Sequence, residues 1–404
     1  MNAKNKNINS FLFVLAMSVR YLQTVFIDYW PSFLQNFDIL IIIFTILFYL
    51  LQIVFKNAGK INFKYKYETI NIVMVILTFV ILTIYYSKKN YNGVWLSRTN
   101  IELSYIMIAV LLAFCCFNLF DYLEINKCMK QLLVIFIILY LFELIFKDIS
   151  LSDFLNITLT GSYSPTESQK LSSTAMLMFY WFYTFRTSNN KKYFIISFIY
   201  LICVFKRPLI VGAVLLIVLD YIFNLNREIK NKWIWIAKAL FIVGTILWTS
   251  MLYNKNINII KLKYGIDLNV FTESRAWFFN ALVNYGYKAS GYGTTTIELG
   301  KAWFNCGERY IEMDLVKIYM ETGIIGLMVF INNYFNLVRN NLYNFFIMLT
   351  IFVTLLFSHS LTEPAYWAGI MLVLGSNIYY KEYISKYNRT HIFKPLNLKI
   401  VIKK

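Results

Sequence analysis

Histidine and cysteine are scarce in this chain, and charge is thin. The two histidines, His359 and His391, stand far apart in sequence, so no metal cluster is suggested. Of the five cysteines, Cys115, Cys116 and Cys203 lie in apolar runs, Cys128 in a short connector and Cys306 in a polar stretch. No CxxC spacing occurs, which leaves neither a zinc site nor a disulfide framework to read. Only 15% of the 404 residues are charged, against 59% hydrophobic and 19% aromatic. A soluble domain of this length cannot hide so much apolar surface. The net charge of +18 comes without a basic helix or an aromatic-basic platform. Nucleic acid is therefore not an expected partner. Cytoplasmic loops rich in Lys and Arg, and contact with anionic membrane lipids, account for the excess.

What is present is a succession of apolar stretches near the length of about 20 residues that crosses a bilayer. The fold class read from them is an all-α polytopic membrane protein with about 12 transmembrane helices, forming one integral membrane domain over 1–404. The spans are placed at 9–27, 38–55, 69–86, 101–120, 131–146, 171–185, 193–205, 208–225, 233–252, 314–334, 342–358 and 364–380. The first, which runs on into Asp28 and Trp30, carries no small-residue cleavage site and is read as a span. An even count puts both termini on one side. With the termini in the cytoplasm, inner segments hold 22 Lys and Arg and outer segments 14, or 7 without the long loop. Long loops translocate regardless of charge, so the smaller figure decides in favour of cytoplasmic termini. The loop 147–169 reads as a plain connector, and the basic tail after Lys381 as lying on the inner leaflet. No repeat of solenoid or inverted-topology type is evident.

Between the ninth and tenth spans, residues 253–313 leave this pattern. They form a long, partly helical extracytoplasmic loop carrying arginines, carboxylates, glycines and aromatics. Thr272 is placed to cap a helix beginning at Glu273, on which Trp277, Phe278, Ala281, Leu282 and Tyr285 recur at helical spacing. Arg275 sits at its start. Gly291 and Gly293 permit a tight turn and close backbone approach to a ligand. Lys206 and Arg207 precede Pro208, so the eighth span opens outward with a positive helix end beside two cations, a natural anion site. Glu312 lies at the mouth of the tenth span and is the candidate general base. Asp314, Lys317 and Glu321 follow at spacings that allow pairing on one face, a structural role. Arg20 and Glu143 are charges within spans that either pair across helices or line a cavity; Lys238 is another intramembrane charge. His359 and Glu363 end an outer helix, and His359 is a further candidate. Arg207, Arg275, Glu312 and His359 all fall on the outer side.

These features together resemble the O-antigen polymerase and ligase superfamily of bacterial membrane glycosyltransferases. The resemblance rests on Lys206-Arg207 at an outer helix end, on Ser274, Arg275 and Trp277, on Gly291 and Gly293, and on the ending METGIIGL at 320–327. It covers about residues 200–330 and the number of spans. It implies a multi-pass protein of the bacterial cytoplasmic membrane that joins undecaprenyl-pyrophosphate-linked repeat units into a surface polysaccharide such as O-antigen, capsule or exopolysaccharide. Arg207 and Arg275, with Lys206, would bind the pyrophosphate, and no metal or cofactor is expected. A chain-length regulator protein and a flippase are the implied protein partners. In ligases a histidine stands nine residues before the glutamate of the E-x-G-x-x-G ending. Here that position is Glu312, which favours a polymerase over a ligase. From another functional class, a flippase for lipid-linked oligosaccharides would share the spans and the basic charge, but has no need of the long loop.

Overall fold

The computed structural model describes residues 3–25, 37–56, 63–90, 97–149, 169–204, 206–223, 225, 227–303 and 309–380. Cys306, His391, the connector at 150–168, the tail at 381–404 and the side chains of Arg207 and Pro208 lie outside the described residues. The described chain is all helical apart from one isolated antiparallel bridge between Glu228 and Asn341.

Five helices lead: α1 (Ala3–Val25), α2 (Phe37–Lys56), α3 (Lys66–Asn90), α4 (Ser97–Leu119) and α5 (Tyr122–Phe146). Then come α6 (Gln169–Thr184), α7 (Lys191–Cys203), α8 (Arg207–Phe223) and α9 (Asn231–Met251). Four short helices follow: α10 (Asn254–Tyr264), α11 (Leu268–Phe271), α12 (Arg275–Asn284) and α13 (Thr294–Ala302). The last three are α14 (Asp314–Asn336), α15 (Leu342–Phe357) and α16 (Pro364–Tyr379). A helix thus stands on each of the twelve expected stretches. Five described helices are long and apolar enough to cross a membrane: Phe37–Phe55, Lys66–Asn90, Arg98–Leu119, Tyr122–Phe146 and Asn231–Met251. One boundary moves by a wide margin. The connector expected at 121–130 is helical, because Asp121 and Glu124 form a reciprocal capping box that starts α5 early and buries Cys128.

Burial sorts the helices into two layers. Every residue of α16 from Pro364 to Asn377 is buried, as is α6 from Ala175 to Thr184. Helices apolar all round belong in an interior. Around them, α2 exposes Leu40, Phe44, Leu47, Leu51 and Val54, and α9 exposes Trp235, Leu240, Val243 and Leu247. Such rows of large apolar side chains turned outward fit a hydrocarbon surround, where they cost nothing.

Contacts near helix ends group the connections at two ends of the bundle. At one end Arg20 reaches Asp38 and the carbonyl of Thr362, Asn90 reaches Ala289, and Arg98 reaches Tyr310. At the other, Lys6 pairs with Glu124, Asn118 bonds Lys64, Arg339 pairs with Glu68 and Arg186 bonds Tyr343. The helices therefore alternate in direction.

Residues 253–303 and 309–313 fold against the first end. Leu252, Ile257, Leu268, Ala276, Phe279, Leu282, Leu299, Ile311 and Met313 form a small core of their own with Val316 of α14. The helix expected after Thr272 begins at Arg275, and Thr272 Oγ1 accepts the amide of Ala276. Its buried face is Ala276, Phe279, Asn280 and Leu282, while Trp277 and Tyr285, of the apolar set at helical spacing, are exposed. Asn280 fixes that face: its Nδ2 donates to Leu252 O at 2.6 Å, and its Oδ1 accepts from Asn254 N at 2.9 Å.

Asn280→Leu strands both of those backbone groups, at a cost of about 1–3 kcal/mol. Hydrogen exchange is expected to quicken across 253–284 and to stay unchanged in α16. Unaltered exchange in both segments would remove Asn280 as the tie.

Candidate functional site

The site is assembled from three carboxylates buried at one end of the bundle. Glu102 lies one turn into α4. Lys317 of α14 donates to both of its oxygens, at 2.7 and 2.6 Å, and Arg98 Nε reaches it at 3.1 Å. Glu321, one turn further along α14, accepts the amides of Gly293 and Thr295 at 2.9 and 3.0 Å and the Thr295 hydroxyl at 2.5 Å. A carboxylate at the N-terminal end of α13 meets amides that the helix itself cannot pair. Asp314 accepts the amides of Ser360 and Leu361 at 2.6 and 2.9 Å and bonds His359 Nδ1. The pairing of Lys317 with Asp314 and Glu321 along one helix face is therefore replaced. Each charge is held by a different, distant segment, and this is how α14 ties the rest together.

The two glycines belong to the same arrangement. Gly291 has φ +111°, and a Cβ there would stand 2.4 Å from Thr83 Cγ2 and 2.8 Å from Thr83 Cα. Only glycine lets this strand of backbone lie against α3. Tyr292 then stacks on Phe79 with centroids 4.5 Å apart, and its amide donates to Thr83 Oγ1 at 3.0 Å. Burial raises the Tyr292 phenol well above its ordinary range, with Glu102 and Glu321 adding to the effect. Gly291 and Gly293 thus make the expected tight turn, seat the segment on α3 and α4 and open α13.

His359 is buried, with Thr362 Oγ1 at 2.8 Å from Nε2 and the Tyr310 ring 4.7 Å away. Glu363 pairs with Arg20 at 3.4 Å, and Arg20 Nη1 meets Asp38 at 2.5 Å. Of the two readings for Arg20 and Glu143, the structure gives no pair between them: Glu143 pairs with Lys147 at 2.6 Å, while Arg20 lines a small cavity with Met17, Phe136 and Glu363. Lys238 finds the side-chain oxygens of Asn332 and Asn336.

Arg275 and Glu312 do meet. Glu312 Oε2 lies 3.0 Å from Arg275 Nη2 and 3.3 Å from Nε, and Glu273 Oε2 lies 3.2 Å from Nη1. The guanidinium is mostly buried, at 18% exposure, whereas both carboxylates are about half exposed, at 52% and 51%. Just before Arg275, Glu273 and Ser274 have φ values of +49° and +69°. Two consecutive non-glycine residues in the left-handed region are strained, and strain of this kind gathers at ligand clamps.

Beneath Arg275 runs a trough of about 740 Å³. Its walls are Val211, Leu215 and Leu219 of α8 and Leu349, Val353 and Phe357 of α15, and its polar lining includes Lys206, Glu273 and Arg275. Lys206 and Arg275 are 69 residues apart in sequence and border one cavity. The helix end expected to carry Arg207 begins where expected. No family model, curated protein or solved structure matches this chain.

Sequence reasoning missed Glu102, Asp38, Tyr292, Thr295 and Tyr310. Glu102 had a visible signal, an acid four residues after Arg98 at the start of an apolar run. Glu102→Gln leaves the buried Lys317 ammonium short of its counter-charge and should cost about 3–5 kcal/mol in denaturant unfolding. Glu102→Leu combined with Lys317→Met is expected to recover most of that loss. A double variant no more stable than Glu102→Gln would contradict the pairing.

Proposed function

We propose that this chain is a membrane glycosyltransferase that polymerises oligosaccharide repeat units carried on a polyprenyl pyrophosphate. The observation that carries the reading is the trough: an apolar channel between α8 and α15 with a lysine and an arginine on its lining. A prenyl chain suits the walls, and a diphosphate suits Lys206 and Arg275. Arg207, at the N-terminal end of α8, is assigned to the same group. Guanidinium binds phosphate oxygens in a two-pronged fashion, which lysine does not.

In this reading Arg275 exchanges partners. Half-exposed ion pairs such as Arg275–Glu312 contribute about 0–1 kcal/mol, so a diphosphate carrying more charge displaces Glu312 readily. The released carboxylate then stands beside the diphosphate and accepts the proton of the attacking sugar hydroxyl. The hydroxyl oxygen bonds to the anomeric carbon as the bond from that carbon to the diphosphate oxygen breaks. The leaving diphosphate takes the electron pair and is stabilised by Lys206, Arg207 and Arg275. The site end of the bundle is the outer face of a bacterial cytoplasmic membrane, with twelve spans and both termini inside. The grouping of the connections at two ends and the excess of Lys and Arg on the terminal side support that placement.

Arg275→Ala should leave single repeat units on the lipid, seen on a gel of surface polysaccharide from cells carrying only the variant. A normal polymer ladder would remove Arg275 from the reaction. Single units retained on the inner leaflet would point to a flippase, and full-length polymer left on the lipid would point to a ligase.

A further inference from the structure

A second trough, of about 770 Å³, lies at the opposite end of the bundle, between α1, α5 and α7. It takes no part in the site described above. α1 and α5 run parallel here, as Lys6–Glu124, Cys128–Ser10 and Tyr21–Phe136 contacts follow one another along both helices. The two helices therefore present matched faces, and the lining changes character along them. Toward the helix starts it is Asn7, Ser10, Lys127, Lys130 and Gln131; further along it is Phe11, Val14, Val134 and Ile135. Tyr193 of α7 closes the polar end.

The lysines decide what fits. Lys130 Nζ lies 4.7 Å from the centre of the Tyr193 ring, and Lys192 Nζ lies 5.1 Å from the same ring. Two like charges thus converge on one aromatic ring, with Lys127 of α5 lining the same trough. Among the described residues none of the three has a carboxylate within ion-pair distance. The nearby acids are engaged: Glu124 with Lys6 at 2.8 Å and with the Asp121 amide, and Asp121 with the Glu124 amide at 2.9 Å. A cationic head joined to an apolar channel parallel to the helices is complementary to an amphiphile with an anionic head. The chain's own segment 381–404 is a poor occupant, since it carries seven Lys and Arg against one Glu.

We infer that this trough binds an anionic phospholipid, its phosphate against Lys127, Lys130 and Lys192 and an acyl chain along Phe11, Val14, Val134 and Ile135. On the topology proposed above, this end faces the cytoplasmic leaflet, where anionic lipid attracts lysines. The inference does not depend on the glycan reading, and its test contains no glycan.

The full chain, purified in mild detergent, is titrated with phosphatidylglycerol and with phosphatidylcholine of the same acyl chains, and bound lipid is counted by native mass spectrometry. One phosphatidylglycerol should be retained at least about tenfold more tightly than phosphatidylcholine, as contributions of about 1 kcal/mol per lysine imply. Lys127→Gln, Lys130→Gln and Lys192→Gln together should abolish that preference. Val134→Trp, which fills the apolar part and leaves the lysines, should weaken both lipids. Circular dichroism and melting confirm that each variant is folded; if the triple variant fails to fold, Val134→Trp and competition by phosphate decide alone. Equal retention of the two lipids by the natural chain, or displacement of phosphatidylglycerol by millimolar inorganic phosphate, would overturn the proposal.

Discussion

Lys317 and Glu102 face each other with both side chains almost fully buried, and neither could remain charged there alone. Removing one ion from water without compensation costs several kcal/mol, so the pair holds only where geometry and further hydrogen bonds are good. Here both conditions are met. Arg98 and Thr296 complete the shell of Glu102, at 3.1 and 3.2 Å. The result is that α4, α13 and α14 are not free to slide, because any slip would leave a charge stranded. Glu321 and Asp314 repeat the device on either side of Lys317, one taking the amides that open α13 and the other the amides after α15. Three carboxylates spaced along two helices thereby clamp a polar segment onto an apolar bundle.

The clamp has a consequence for chemistry. Segment 253–303 has a small core of its own, and the buried charges add to the apolar contacts that Val316 and Tyr292 make between it and the bundle. Once Gly291 lies against Thr83 and α13 is seated over Glu321, α12 is carried with it through their shared core. Arg275 then borders the trough between α8 and α15 while bonded to Glu273 and Glu312. The strained turn at Glu273 and Ser274 is tolerated because the surrounding packing fixes both ends of it. Stability is invested in buried charge, and Arg275 is left with two carboxylates that are themselves half exposed. On the proposed function, that division suits a cation that exchanges partners.

Much of the fold could be read in the sequence, because apolar length is a direct physical requirement of a bilayer and the long polar interruption breaks the pattern visibly. Helix ends were less legible: the capping box at Asp121 and Glu124 moves the start of α5 by about two and a half turns. The contacts of the candidate site were only partly legible. Arg275 and Glu312 share a segment and were noticed as charges at a boundary. Lys206 reaches the same trough through the topology alone. The partners of Lys317 could not be inferred from helical spacing, since Asp314 and Glu321 look correct at three and four residues while the true partner, Glu102, lies 215 residues away. The tight turn at the glycines was legible, but the neighbour that requires Gly291, Thr83 of α3, was not.

On the proposed function, a diphosphate lies between Lys206 and Arg275 with its prenyl chain in the trough. Photolabelling of the full chain in membranes with a polyprenyl diphosphate bearing a photoreactive group near its head tests this most directly. Label is expected on α8 and α15, around Val211, Leu215 and Val353, and competition by an unlabelled polyprenyl diphosphate should remove it while the corresponding alcohol does not. Label confined to other helices, or equal competition by the alcohol, would contradict the account.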